Sequence, residues 1–68
     1  MNLVKIVLPL ETALDYRNMS FCNWLVEKEE ENLLRFNTKG GFLNIIFDLE
    51  YKDMIERVCY KAVNNLKH

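Results

Sequence analysis

The chain has 68 residues, half of them apolar and 28% charged, with nine Lys and Arg against ten Asp and Glu and a formal charge of −1. That length holds one small domain spanning 1–68, and the apolar content excludes a disordered tail. The charge balance lacks the basic footprint of a dedicated nucleic-acid binder, whose domain pI usually exceeds about 9. No run approaches the roughly 20 apolar residues of a spanning helix. Pro9 and Glu11 cut short the apolar Ile6-Val7-Leu8, so no secretory leader is read. The expected setting is cytoplasmic, without a membrane.

A domain of this size buries only about 60% of the surface that its unfolded chain exposes, and usually needs a disulfide, a metal or a second copy for stability. Cys22 and Cys59 could form one bridge at most. They are read instead as reduced thiols acting as small hydrophobes, which leaves homo-oligomerisation as the remaining aid. Abundant Asn, Lys and Ile beside two Ala and one Pro suggest an AT-rich genome.

In chain order, residues 3–10 read as a strand, with Val4, Ile6, Leu8 and Leu10 on one face and Leu3, Lys5, Val7 and Pro9 on the other. Pro9 has no N–H to give a ladder and belongs at a strand end or on a sheet edge. Thr12 and Asp15 offer a capping box for a helical turn or two before Met19. Residues 21–37 are expected to form a hairpin, Phe21–Glu27 and Leu33–Asn37 flanking a polar turn through Lys28–Asn32. A helix from Ser20 is the alternative, set aside because Lys28, Glu29 and Asn32 intrude on its apolar face. Gly40-Gly41 marks a tight turn, and Phe42–Leu49 a strand with Leu43, Ile45, Phe47 and Leu49 on one face. Tyr51, Met54, Ile55, Val58, Cys59, Ala62 and Leu66 then follow helical spacing to the C-terminus. Acids first and bases last complement the helix dipole, and Asp53→Arg57 is a favourable i,i+4 pair.

Catalytic groups are scarce. His68 is the only histidine and stands at the terminus; Ser20 is the only serine, with no histidine to activate it. Two cysteines cannot hold zinc alone, and Gly40-Gly41 is no phosphate loop. No enzyme activity, metal or cofactor is expected.

Four surfaces remain. Glu27, Glu29, Glu30 and Glu31, with Lys28 among them, give a net charge of −3 over five residues, either a solvated turn or a contact for a basic partner. One helix can cover Val4, Ile6, Leu8, Leu43, Ile45 and Phe47. The opposite sheet face would then carry Leu3, Val7, Phe42 and Ile46, with Phe21, Leu25 and Leu33 as further candidates, unless residues 11–20 fold back over it. Tyr60 falls behind the apolar stripe of the last helix, beside Arg57 and Lys61, a combination common at interface hot spots. Trp24 is expected in the core.

The fold expected is α+β in two layers, a mostly antiparallel sheet of three to four strands with one long C-terminal amphipathic helix packed on one face. The function expected is a non-enzymatic protein-binding module that inhibits or regulates a larger intracellular protein, in the manner of an accessory inhibitor from a phage or mobile element. The alternative is a small nucleic-acid-binding regulator using the basic C-terminal half, with Arg35, Lys39, Arg57, Lys61 and Lys67 as cations and Tyr60 to stack a base. Residues 32–68 hold six basic against four acidic residues, and residues 1–31 hold three against six.

Overall fold

The structure, a computed structural model, describes residues 2–67. The terminal His68 lies outside them. Strand β1 (Leu3–Pro9) leads into a four-residue helix α1 (Glu11–Leu14), a 3-10 turn at Tyr16–Asn18 and helix α2 (Met19–Glu30). Strands β2 (Leu34–Lys39) and β3 (Phe42–Asp48) form a hairpin, and a 3-10 turn at Leu49–Tyr51 opens helix α3 (Lys52–Asn64). The sheet is fully antiparallel in the order β1-β3-β2, with Val4 opposite Phe47 and Phe47 opposite Leu34. The elements follow the order β-α-β-β-α, and among the described residues no strand pairs with the outer edge of β1.

Period-two alternation decides the strands. Leu43, Ile45 and Phe47 of β3 are buried and point with Leu8 and Leu34 toward the helices. The β2–β3 turn has only two residues, Gly40 (φ 59°) and Gly41 (φ 82°). Positive φ at both positions matches the twist of the flanking strands, and glycine adopts it without strain.

Two helices, not one, cover the sheet, and both lie on the same face: Phe21 and Leu25 of α2 and Ile55, Cys59 and Ala62 of α3 share one core with the strands. The hairpin expected over 21–37 is therefore corrected. Phe21–Glu27 is helical, and only the second strand survives, shifted to Leu34–Lys39. Lys28, which argued against the helix, has a largely shielded side chain, and its Nζ meets Glu31 (3.4 Å) and Glu27 (3.7 Å). Asn32 lies beyond the helix, at φ 62°. There the N–H of Leu33 donates to the Lys28 carbonyl and that of Asn32 to the Glu29 carbonyl, a Schellman stop that a polar residue tolerant of the left-handed region supplies.

The expected capping box is also corrected. Thr12 is buried inside α1, whose N-cap is Leu10, and Asp15 instead caps the following 3-10 turn. Arg17 donates to the Asp15 carboxylate from Nε (2.8 Å), Nη2 (2.9 Å) and its backbone N–H (2.9 Å). The side-chain bonds first, then the backbone bond, hold the Asp15 carboxyl down at about 2, against an ordinary 3.8. A depressed folded value means that the stabilisation is complete above pH about 4 and is lost as pH falls toward 2. Asp15→Asn is expected to flatten the loss of stability across that window. An unchanged slope in acid titrations of the unfolding midpoint would overturn this.

α3 agrees with the core of its predicted stripe but ends at Asn64, short of the C-terminus: Ile55, Cys59 and Ala62 are buried, Val58 is half-buried and Met54 exposed, while the half-buried Tyr51 and Leu66 lie just outside the helix. Asp53 and Arg57 do not close to an ion pair; the pairs among the described residues are those of Arg17 and Lys28.

Candidate interaction surface on the open sheet

Because both helices pack on one side, the described residues put no layer on the other side of the sheet. Residues 11–20, the alternative cover for that face, lie with the helices instead, where Asn18 Nδ2 donates to the carbonyls of Thr12 and Ala62, both at 2.9 Å. Phe21 and Leu25, offered as further members of the bare face, belong to the core, and Leu33 is half-buried beyond the end of α2.

The register arranges the outer face in rows. Leu3 stands beside Asp48; Lys5, Ile46 and Arg35 form the next row, Val7, Asn44 and Asn37 the third, and Pro9, Phe42 and Lys39 the last. Leu3 is 60% exposed, Val7 and Phe42 49% each, and Ile46 is partly shielded between two cationic side chains. Asn44 Nδ2 donates to Asn37 Oδ1 at 3.3 Å and stiffens the middle row. An aliphatic stripe with one aromatic ring is thus bordered by Lys5, Arg35 and Lys39, none of them in an ion pair among the described residues. The single acid, Asp48, spends its carboxylate on the N–H of Glu50. The face is apolar and positive, although the chain as a whole is slightly acidic.

The other singled-out residues lie elsewhere. Arg57, Tyr60 and Lys61 line a shallow groove on the solvent side of α3, away from the sheet, and Tyr60 is 68% exposed. Phe42 and Ile46 are thus on the opposite side of the domain from Tyr60. The acidic run forms the last turn of α2 rather than a loop. Glu27 and Glu31 hold Lys28, and Glu29 accepts the N–H of Phe36 at 3.4 Å. Three of these four acids have a partner within the chain. The basic residues of the C-terminal half do not form one patch, since Arg35 and Lys39 lie on the sheet and Arg57 and Lys61 on α3.

The sequence reasoning missed a second exposed apolar group, Leu14, Tyr16 and Met19, 73%, 83% and 65% exposed at the entry to α2. The only signal for it was the density of large apolar residues between two short helical turns. Trp24 is half-buried, packed against the core in the groove between α2 and α3.

Chemistry-bearing groups remain dispersed. Among the described residues no three His, Cys, Asp or Glu side chains gather where a metal could be held. Cys59 is buried, and burial first, then the Glu56 charge, pushes its thiol up to about 11. Little thiolate is available there near neutrality. Cys22 is half-buried and donates its thiol to the Ala13 carbonyl. No helix of the described residues is long and apolar enough to cross a membrane.

No protein-family model, curated protein or solved structure matches the chain. The β-α-β-β-α element order carries no function of its own, which leaves the surfaces as the features that bear on function.

Proposed function

We propose that this chain is a non-enzymatic protein-binding module whose principal contact is the uncovered face of its sheet, acting to occlude or regulate a larger protein. The observation that carries the reading is the juxtaposition on that face of Leu3, Val7, Phe42 and Ile46 with Lys5, Arg35 and Lys39, which form no ion pair among the described residues. Contiguous exposed apolar surface rimmed by charge is the usual mark of a protein contact. The excess of cations makes the complementary surface acidic. It also disfavours a face-to-face dimer, which would bring two like-charged faces together. A single ring, Phe42, supports the protein reading over single-stranded nucleic acid, whose binding draws on successive aromatic platforms.

Phe42→Glu and Ile46→Glu test this. Both positions are at the surface, and a carboxylate at Ile46 falls between Lys5 and Arg35, so the fold is expected to survive both changes. Each is expected to lower affinity for the partner captured by the unaltered chain at least about tenfold, as loss of a central contact does. Tyr60→Ala is expected to leave that affinity unchanged. Retention with the sheet variants and loss with Tyr60→Ala would move the contact to α3. Capture that vanishes on nuclease treatment would replace the partner by nucleic acid.

A further inference from the structure

The two edges of the sheet are not alike. At the ends of the β1–β3 ladder the Leu49 N–H donates to the Asn2 carbonyl (2.7 Å) and the Leu10 N–H to the Gly41 carbonyl (2.9 Å). In an antiparallel ladder such pairs recur at every second residue. Even-numbered residues of β1 therefore bond to β3, and the N–H and C=O groups of Leu3, Lys5 and Val7 point away from the sheet. Among the described residues none of these groups has a backbone partner outside the sheet. By the same parity Leu34, Phe36 and Thr38 face outward from β2. There Leu34 is buried, and the Phe36 N–H is taken by the Glu29 carboxylate of α2. β2 is thus sheltered at Leu34 and Phe36, with Thr38 exposed beyond them, whereas β1 has no such cover among the described residues.

The side chains along β1 lack cover on both faces. Val4 and Ile6 are only half-buried on the helix side, where Leu8 of the same strand face is buried, and Leu3 and Val7 are exposed on the other. We infer that the free edge of β1 receives an extended acidic segment of a partner protein as a fourth strand. This deepens the protein-binding reading and rests on it. Apolar residues of the incoming strand would cover Val4 and Ile6, and its alternate residues, on the outer face, would stand beside Lys5.

Charge selects the occupant. A second copy paired so that Leu3, Lys5 and Val7 satisfy one another sets Lys5 directly opposite Lys5, and like charges in that position are destabilising. Lysine and proline on an edge are the common guards against such self-pairing, and β1 carries both Lys5 and Pro9. A carboxylate opposite Lys5 converts the guard into a selector, with Arg35 two strands away in the same row. Strand addition then draws affinity from main-chain bonds and specificity from alternate side chains.

The test places the strand in cis. The C-terminal end of α3 sits near the Pro9 end of β1, because Asn18 binds the Ala62 carbonyl and that of Thr12, three residues past Pro9. A segment Val-Glu-Val-Glu-Val-Glu-Val is appended after His68 through a flexible Gly/Ser linker of about ten residues, which raises its effective concentration to the millimolar range. A second version carries Lys in place of each Glu. Amide hydrogen exchange of Lys5 and Val7 is read by NMR. The acidic version is expected to slow both amides at least about tenfold relative to the untailed chain, and the basic version to slow them far less. Lys5→Glu, an exposed change, is expected to reverse that order. Unslowed Lys5 and Val7 amides in the acidic version would overturn strand addition, and equal slowing by both tails would overturn the charge selection. Partner capture is read separately at Phe42 and Ile46. A partner that binds through those residues and leaves the Lys5 and Val7 amides exchanging freely would retain the module and remove the fourth strand.

Discussion

Replacing Asn18 by alanine is expected to cost about 2–4 kcal/mol, a large share of the roughly 3–10 kcal/mol that per-residue stabilities give a chain of this length. Asn18 is 1% exposed. Its Nδ2 donates to Thr12 and Ala62, whose carbonyls lie in the last turns of α1 and α3 and have no i+4 N–H to accept from. Its Oδ1 accepts from Asn65 Nδ2 at 2.9 Å. One amide therefore closes two helix ends and ties them to the start of α2. Alanine would orphan both carbonyls in a site closed to water, and each is worth about 1–3 kcal/mol when left unpaired. Asn18→Asp is expected to fare no better, since a carboxylate cannot donate. Urea unfolding measures both variants, and a loss below about 1 kcal/mol would mean that solvent reaches these carbonyls.

The second large effect belongs to Phe47. It is 2% exposed on the central strand, opposite Val4 on one side and Leu34 on the other, beneath both helices. Phe47→Ala is expected to cost about 3–5 kcal/mol through lost transfer energy and the cavity left behind. In so small a domain that approaches the whole stability, and the variant is expected to be largely unfolded at room temperature by circular dichroism. Phe47→Leu keeps most of the apolar volume and is expected to remain folded with a lower midpoint. A cooperative Phe47→Ala transition near that of the unaltered chain would show that the helices collapse into the vacated space.

β1, the glycine turn, β3 and α3 were legible because each obeys a single period without interruption. α2 was not, because its core stripe is short, Phe21 and Leu25 with Trp24 at its margin, and the Lys28 stem extends it in a way that a polarity pattern scores as contamination. Its stop depends on Asn32 entering the left-handed region, and nothing else in 31–33 marks a boundary. The bare face could be read from strands apolar on both sides, and Leu3, Val7, Phe42 and Ile46 are found there together. The cations around it could not, since Lys5, Arg35 and Lys39 converge only through the order β1-β3-β2. Asn18 read as an ordinary loop residue, because its partners are 6 and 44 positions away.

The unequal edges also set a valence. A filament of stacked strands needs two reactive edges per molecule, so that each addition exposes a site for the next. Glu29 and α2 shelter β2 at Leu34 and Phe36, so among the described residues the longer open edge is that of β1. Under the proposed strand addition, one partner fills that edge and leaves, among the described residues, only the short exposed stretch at Thr38. A sheet with one long open edge is a poor seed for a fibre.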